Sequence, residues 1–470
     1  MKRLIIILSA IFCMSVAGIS QHNISITVNG LQHRNIFLAY HYGDKTYITD
    51  TAKLDEKGRG VFTGNTTLKE GIYLVVLPSK IYFEIIIDDA QSFSLETDTS
   101  SDMRNLIKKL KVNRSPVNVQ FRDYQMFMFD KTKESHLLKV ESLNKMETEK
   151  KREAAREKLN KVNQQIRDYQ NKIVQKSPNS LLSKLIKGFE EPAVLETGQV
   201  INGQTVDSLI QYNHYKDTYF ANIDFNDSRL LRTPIYHSRL VKFFDKVVSP
   251  YYDSIINASK KLLDKTTVNQ EYKQYTLQYI FNRFSQSKIM GHENVTVYLA
   301  NNYYLNGNAD WVDSSFIAKL TERISKMEPN LIGNIAPRLD KAQTFDGMFY
   351  PLHSIVAKYT ILVFWEPNCG YCKKEIPQLL EFFNKYYNKG LAVYAFCTQN
   401  NTDEWKKAIE EYDIEEWINV FDPFNFTRFR DLYDIYTTPV LYLLDAEFKI
   451  IAKRITIDVV EDILKTNLYD

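Results

Sequence analysis

The sequence predicts a multidomain chain: an N-terminal antiparallel β domain, an α-helical middle domain and a C-terminal α/β domain. Apolar and polar residues alternate near the N-terminus, as on half-buried strands. Through the middle, apolar residues recur at spacings of three and four, as on helices. Toward the C-terminus, short apolar runs are separated by helical stretches, the mark of βαβ units. At 470 residues the chain exceeds one ordinary domain.

Residues 1–20 read as a signal peptide. Lys2-Arg3 precedes the apolar run Leu4 to Val16, small residues follow at Ala17, Gly18 and Ser20, and Gln21 would begin the mature chain. The apolar run is too short for a comfortable membrane span, and bulky Phe12 before Cys13 argues against a lipid-anchored cysteine. Residues 21–100 form the β domain, read as sandwich-like. Ile24, Ile26 and Val28 alternate with polar neighbours, as do Ile36, Leu38 and Tyr40. Pro78-Ser79-Lys80 turns a hairpin between Tyr73–Leu77 and Ile81–Ile87. Residues 101–330 form the helical domain. Ala155, Leu159, Val162, Ile166, Tyr169 and Ile173 make a stripe on a long charged helix, expected to pack on the following helices of the same chain. Residues 331–470 form the α/β domain, with apolar runs at 361–364, 391–397 and 439–444 and a further strand near 448–453. Helical stretches fall at 373–387, 402–412, 424–434 and 457–467.

Composition excludes some partners. The 60 basic residues are balanced by 57 acidic ones, so no nucleic-acid or anionic-lipid surface is expected. Loss of the leader leaves three of the four cysteines, too few for a disulfide scaffold. Two of them form Cys369-Gly370-Tyr371-Cys372. This motif follows the apolar run Tyr359 to Phe364 and Trp365, and precedes a helical pattern. Cysteines at i and i+3 on the first turn of a helix can close a small disulfide, and the free N–H groups there stabilise a thiolate on the first. Such a thiolate beside a resolving thiol is what thiol–disulfide exchange requires. A four-residue loop restricts the unfolded chain very little, so a purely structural staple is disfavoured.

The segment from about Ala336 to Asp470 resembles a thioredoxin-fold domain of the TlpA/ResA type. The resemblance rests on Phe364-Trp365-Glu366-Pro367-Asn368-Cys369-Gly370-Tyr371-Cys372-Lys373-Lys374-Glu375-Ile376-Pro377 and on Tyr436-Thr437-Thr438-Pro439-Val440-Leu441. It implies that Cys369 is the exposed nucleophile and that Cys372 is the more buried resolving thiol. It also implies that Pro439 is cis and faces them, with Thr438 offering backbone groups to a bound peptide. Trp365 would cover the dithiol, Gly370 and Tyr371 would meet substrate, and Pro377 would kink the helix. Glu375, one turn after Cys372, would tune the thiols or relay protons. Where thioredoxin itself has a buried acid the chain has Val363, which leaves Glu375 as the nearby candidate.

The implied activity is an exported thiol–disulfide oxidoreductase of the periplasm or cell envelope, acting reductively on protein disulfides and recharged by an upstream thiol donor. No cofactor or metal is expected. Disulfide isomerisation is the nearest alternative, since the Gly-Tyr dipeptide also occurs in the periplasmic isomerases. A non-enzymatic binding module and metal delivery through the C-x-x-C stay open; only His353 and Cys397 stand out as further ligands. Cys397 reads as a buried small hydrophobe at a strand end, and His33 and His41 as surface or hairpin residues.

Overall fold

The computed structural model describes residues 21–144, 147–201 and 203–468. The expected leader, Cys13 included, lies outside the described residues. The chain divides into two compact units, one reaching to Val248 and including Thr266–Tyr272, the other comprising Ser249–Lys265 and Lys273 onward. Among the described residues no helix is long and apolar enough to cross a membrane.

The first unit opens with β1 (His22–Asn29), β2 (Asn35–Tyr42), β3 (Lys45–Lys53), β4 (Arg59–Gly64), β5 (Gly71–Val76), β6 (Tyr82–Ile87), β7 (Ser92–Asp98) and β8 (Lys111–Asn113). They form two four-stranded sheets, β4-β1-β7-β8 and β3-β2-β5-β6. Alternate residues turn inward from both: Ile24 and Ile26, Ile36 and Leu38, Phe83 and Ile85 share one core. One pairing departs from the antiparallel pattern, because β1 and β7 run parallel. Parallel neighbours need a crossover, and the excursion through the second sheet supplies it.

Helices α1 (Met103–Lys109), α2 (Pro116–Leu143), α3 (Glu149–Lys176), α4 (Leu181–Phe189), α5 (Ser208–Thr218) and α6 (Pro234–Lys242) follow. Ser115 caps α2 by accepting from the Asn118 N–H, with Pro116 in the first turn. The Asn118 side chain then pairs with both backbone groups of Ile86, at 2.7 and 2.8 Å, fastening α2 to β6. The α3 stripe meets the preceding helix: the Tyr169 ring lies 4.1 Å from that of Phe127, and Gln170 donates to the Tyr124 hydroxyl at 3.2 Å.

The second unit carries most of α7 (Tyr252–Thr266) and α8 (Gln270–Ser285), then α9 (His292–Leu299) and α10 (Ser314–Met327). Beyond them come β9 (Tyr359–Trp365), α11 (Cys372–Tyr386), β10 (Leu391–Cys397), α12 (Thr402–Tyr412), β11 (Ile418–Phe421), β12 (Val440–Asp445), β13 (Ile450–Lys453) and α13 (Ile457–Leu468). The sheet order is β11-β10-β9-β12-β13. β11, β10 and β9 run parallel; β12 is antiparallel to β9, and β13 is antiparallel to β12. β9 is buried on both faces, which is why its sequence is a continuous apolar run. Ile361, Val363 and Trp365 join α11 side chains on one face; Leu362 and Phe364 join Tyr394, Phe396 and Tyr442 on the other.

The helix expected at 424–434 is reduced to the single turn Phe429–Leu432. Pro423 and the carboxylate of Asp422 override the helical pattern. Asp422 accepts from the N–H groups of Phe424, Phe426 and Thr427 and from the Thr427 hydroxyl, and Asn425 and Arg428 take left-handed backbone. The short buried strand β11 just before it is an addition to the expected set.

Candidate active site

β9 delivers Trp365, fully buried, to the carboxyl edge of the sheet. The loop from Glu366 to Tyr371 turns the chain, and α11 begins at Cys372. The Lys373 N–H donates to the Cys369 carbonyl at 3.1 Å, so the helical turn reaches back to the first cysteine. The Cys372 N–H points at Cys369 Sγ at 3.3 Å, and the Cys369 thiol donates to the Thr438 carbonyl at 3.2 Å. Cys369 is partly exposed and Cys372 is buried.

The two thiols are driven apart electrostatically. Burial alone would raise the Cys369 thiol. Hydrogen bonds from the Cys372 and Thr438 side chains and from the Cys372 and Tyr371 backbone outweigh it and hold the thiol below its usual value. Burial pushes Cys372 up to about 12, helped by its hydrogen bond to Cys369. The Cys369 sulfur therefore ionises more readily than the Cys372 sulfur.

The Thr438–Pro439 peptide bond is cis. Thr438 and Pro439 line a cleft of about 540 Å³ with Tyr371, Glu375, Tyr436 and Arg454. Glu375 lies one turn beyond Cys372, and its Oε2 is shielded from solvent without a hydrogen-bond partner among the described residues. Gly370 stands in open space, where a Cβ would meet nothing within 4 Å, and Tyr371 is 75% exposed. The surface over the dithiol is thus free for an incoming chain.

Trp365 packs in the same core as Cys372, with Cys369 against that core. Across the sheet Trp365 is in register with Cys397, so Cys397 does share the dithiol's edge. Its thiol is buried, pushed up to about 12 by desolvation, and donates to the Gln399 carbonyl at 3.7 Å. Val363 is fully buried in the Cys372 core. His353 stacks on Phe448 of the β12–β13 turn, with 4.4 Å between ring centres. Pro377 lies inside α11 on its exposed side.

Two features escape sequence reading. Glu366 clips the loops after β9 and β10 together, accepting from the Thr398 hydroxyl at 2.5 Å and from Gln399 at 3.2 Å. Its place between Trp365 and Pro367 was the one available signal. The second is a clamp on the segment leading to Thr438. The buried Asp434 carboxylate holds Arg323 of α10 at 2.6 Å and Arg454 at 2.5 Å. Lys453, also buried, pairs with Glu293 of α9 and donates to Asn330 at 2.7 Å. Partners more than a hundred positions apart carry no local sequence signal.

Residues 332–453 match the AhpC/TSA family. A thiol-disulfide oxidoreductase ResA of Bacillus cereus is 24% identical over 140 residues, 30% of this chain and 74% of that protein. ResA of a second B. cereus strain, ATCC 10987, is 26% identical over 127 residues, 27% of this chain and 71% of that protein. Among solved structures, a domain of a possible thiol-disulfide isomerase from Cytophaga hutchinsonii is 42% identical, covering 30% of this chain and 95% of that one, with a TM-score of 0.29. A thioredoxin-like protein from Bacteroides caccae is 21% identical, covering 57% of this chain and 98% of that one, with a TM-score of 0.44. The family match and the curated relatives, taken with the C-terminal fold, support a TlpA/ResA-like protein of the thioredoxin family, the likeness residing in the C-terminal domain.

Proposed function

We propose that the protein is exported and reduces disulfides of protein clients through the Cys369/Cys372 dithiol. The observation that carries this reading is the asymmetry of the pair: an accessible sulfur held below the usual thiol value, and a buried one pushed up to about 12. The Cys369 thiolate attacks one sulfur of the client disulfide. A mixed disulfide forms, and the other client sulfur leaves as a thiolate that takes up a proton. Cys372 then loses its proton and attacks Cys369 Sγ. The second client sulfur is released, and the protein is left with the Cys369–Cys372 disulfide. Two electrons have passed to the client, and an envelope thiol donor must return two.

Glu375 is the acceptor proposed for the Cys372 proton, since its shielded carboxylate oxygen lies one turn away beside the same cleft. Trp365 serves as a packed floor under the pair, while Gly370, Tyr371, Thr438 and Pro439 form the surface that meets the client. The reductive direction is what the resemblance to the TlpA/ResA type implies. A strongly stabilised thiolate would favour the reduced protein and make it an oxidant. Equilibration with glutathione buffers tests this: a potential well below that of glutathione supports the reductant, and one well above it refutes the direction.

A further inference from the structure

One wall of the dithiol cleft comes from outside the α/β domain. Arg323 of α10 lines the cleft together with Tyr371, Tyr436, Thr438 and Pro439. The cleft reaches the reactive sulfur directly, because the Thr438 carbonyl accepts from the Cys369 thiol at 3.2 Å. α10 precedes residues 332–453, the stretch shared with the family, so Arg323 is an addition to the shared site.

The wall is fastened to the segment that leads to the cis peptide. Asn330 donates to the Leu432 carbonyl at 3.0 Å. Lys326, one turn beyond Arg323, stands over the Tyr436 ring with its ammonium 5.9 Å from the ring centre. Between these contacts Asp434 divides its carboxylate, one oxygen to Arg323 at 2.6 Å and the other to Arg454 at 2.5 Å. The Asp434 side chain is 1% exposed and that of Arg323 44%. The acid is thus buried behind a guanidinium that opens on the cleft.

The two arginines differ in what they have left to offer. Arg454 also donates to the Asp434 carbonyl at 3.0 Å and to Glu293 at 3.4 Å. Arg323 commits one terminal nitrogen to Asp434, and its other N–H groups have no hydrogen-bond partner among the described residues. A guanidinium held in place by a buried acid, with donors to spare, suits a second carboxylate. The other acid lining the cleft, Glu375, lies on α11 with the dithiol, so repulsion turns an incoming carboxylate toward the α10 side.

We infer that Arg323 is a specificity residue that receives an Asp or Glu side chain of the client, close in sequence to the cysteine under attack. The inference rests on the proposed reductase function and adds a charge preference to its substrate. A compact cleft of about 540 Å³ is about 8 Å across, which at about 3.4 Å per residue places the acid two or three positions from the cysteine. Arg323 takes no part in the electron transfer.

The test uses the reduced full chain, its R323Q variant and three synthetic peptides. Each peptide carries one cysteine as a mixed disulfide with 2-thiopyridine, and the same residue (Glu, Gln or Lys) three positions to either side of it. Attack on the peptide sulfur expels thiopyridine, which is followed by stopped flow. Each rate is divided by that of dithiothreitol on the same peptide. Wild type should rank Glu above Gln above Lys, with Glu about tenfold faster than Gln, as one charge-assisted hydrogen bond provides. That preference should shrink to about twofold as salt rises from about 0.02 to about 0.5 M. R323Q should bring the Glu-to-Gln ratio close to one. A loss of stability or of thiol reactivity lowers both rates together and leaves the ratio in place. A ratio retained in R323Q, with or without slower rates, therefore overturns the inference and gives the preference to Lys373 and Lys374, exposed at the start of α11. No ranking in wild type, or one that salt does not weaken, overturns it without recourse to the variant. If wild type reduces none of the three peptides, the reductase reading itself fails and the inference falls with it.

Discussion

Reduced protein exposed to iodoacetamide at pH 7.5 should be alkylated at Cys369 and spared at Cys372. The size of the difference follows from the site. A thiol at about 12 is ionised to only about one part in 30,000 at this pH. A thiol below about 9 is ionised to at least about 3%, so the thiolate populations differ by about a thousandfold. The more basic thiolate is the better nucleophile, and a Brønsted slope of about 0.45 over three units returns about 20-fold to Cys372. That leaves Cys369 about 40-fold faster before steric shielding of the buried sulfur is counted. Timed quenching, digestion and peptide mass spectrometry give both rates in one sample. Repeating the series from pH 5 to 10 should place the Cys369 midpoint below that of a free cysteine peptide. Comparable rates at the two cysteines, or a Cys369 midpoint above the peptide's, would refute the division of labour.

Other substitutions separate packing, proton transfer and bystander roles. Glu375→Gln should slow release of the mixed disulfide several-fold and flatten its pH profile while leaving the alkylation rate of Cys369 in place, measured by rapid quench. Trp365→Ala should cost about 3–5 kcal/mol in denaturant unfolding, because it empties a fully buried indole site under the dithiol. Asp434→Asn should cost about 1–3 kcal/mol, discounted because the paired guanidinium groups are partly exposed. Burial alone would raise the Asp434 carboxyl; Arg323 and Arg454 outweigh it and hold it below the usual range. Its contribution is therefore present above about pH 4 and is lost on acidification below that. A wild type and D434N difference that stays constant across this window would contradict the clamp. Cys397→Ser should leave turnover and the dithiol potential unchanged, since that thiol is buried and pushed up to about 12.

The sequence was most legible where one stretch of chain holds the whole signal. Trp365, the C-x-x-C and the amphipathic start of α11 are contiguous, and strand, turn and helix there obey local patterning. The same holds for β1 and β2, whose alternation marks their buried face. It failed where a side chain reaches beyond its own segment. Residues 424–434 carry a helical pattern, but four hydrogen bonds to Asp422 fix a different path. β11 is four residues long, too short for a period to declare itself, and its place is set by pairing with β10. The clamp of Arg323 on Asp434 spans 111 positions. It becomes visible only when α10 and the segment before Thr438 are side by side.

The most direct measurement of the central claim follows electrons into a client. Fully reduced protein is mixed with a peptide disulfide, quenched with acid, alkylated and weighed by intact mass and peptide mapping. One Cys369–Cys372 disulfide should appear for each client disulfide reduced, with a Cys369–client adduct accumulating in Cys372→Ser and none in Cys369→Ser. Client reduction without oxidation of this pair, or an adduct that forms through Cys372 or Cys397 instead, would contradict it.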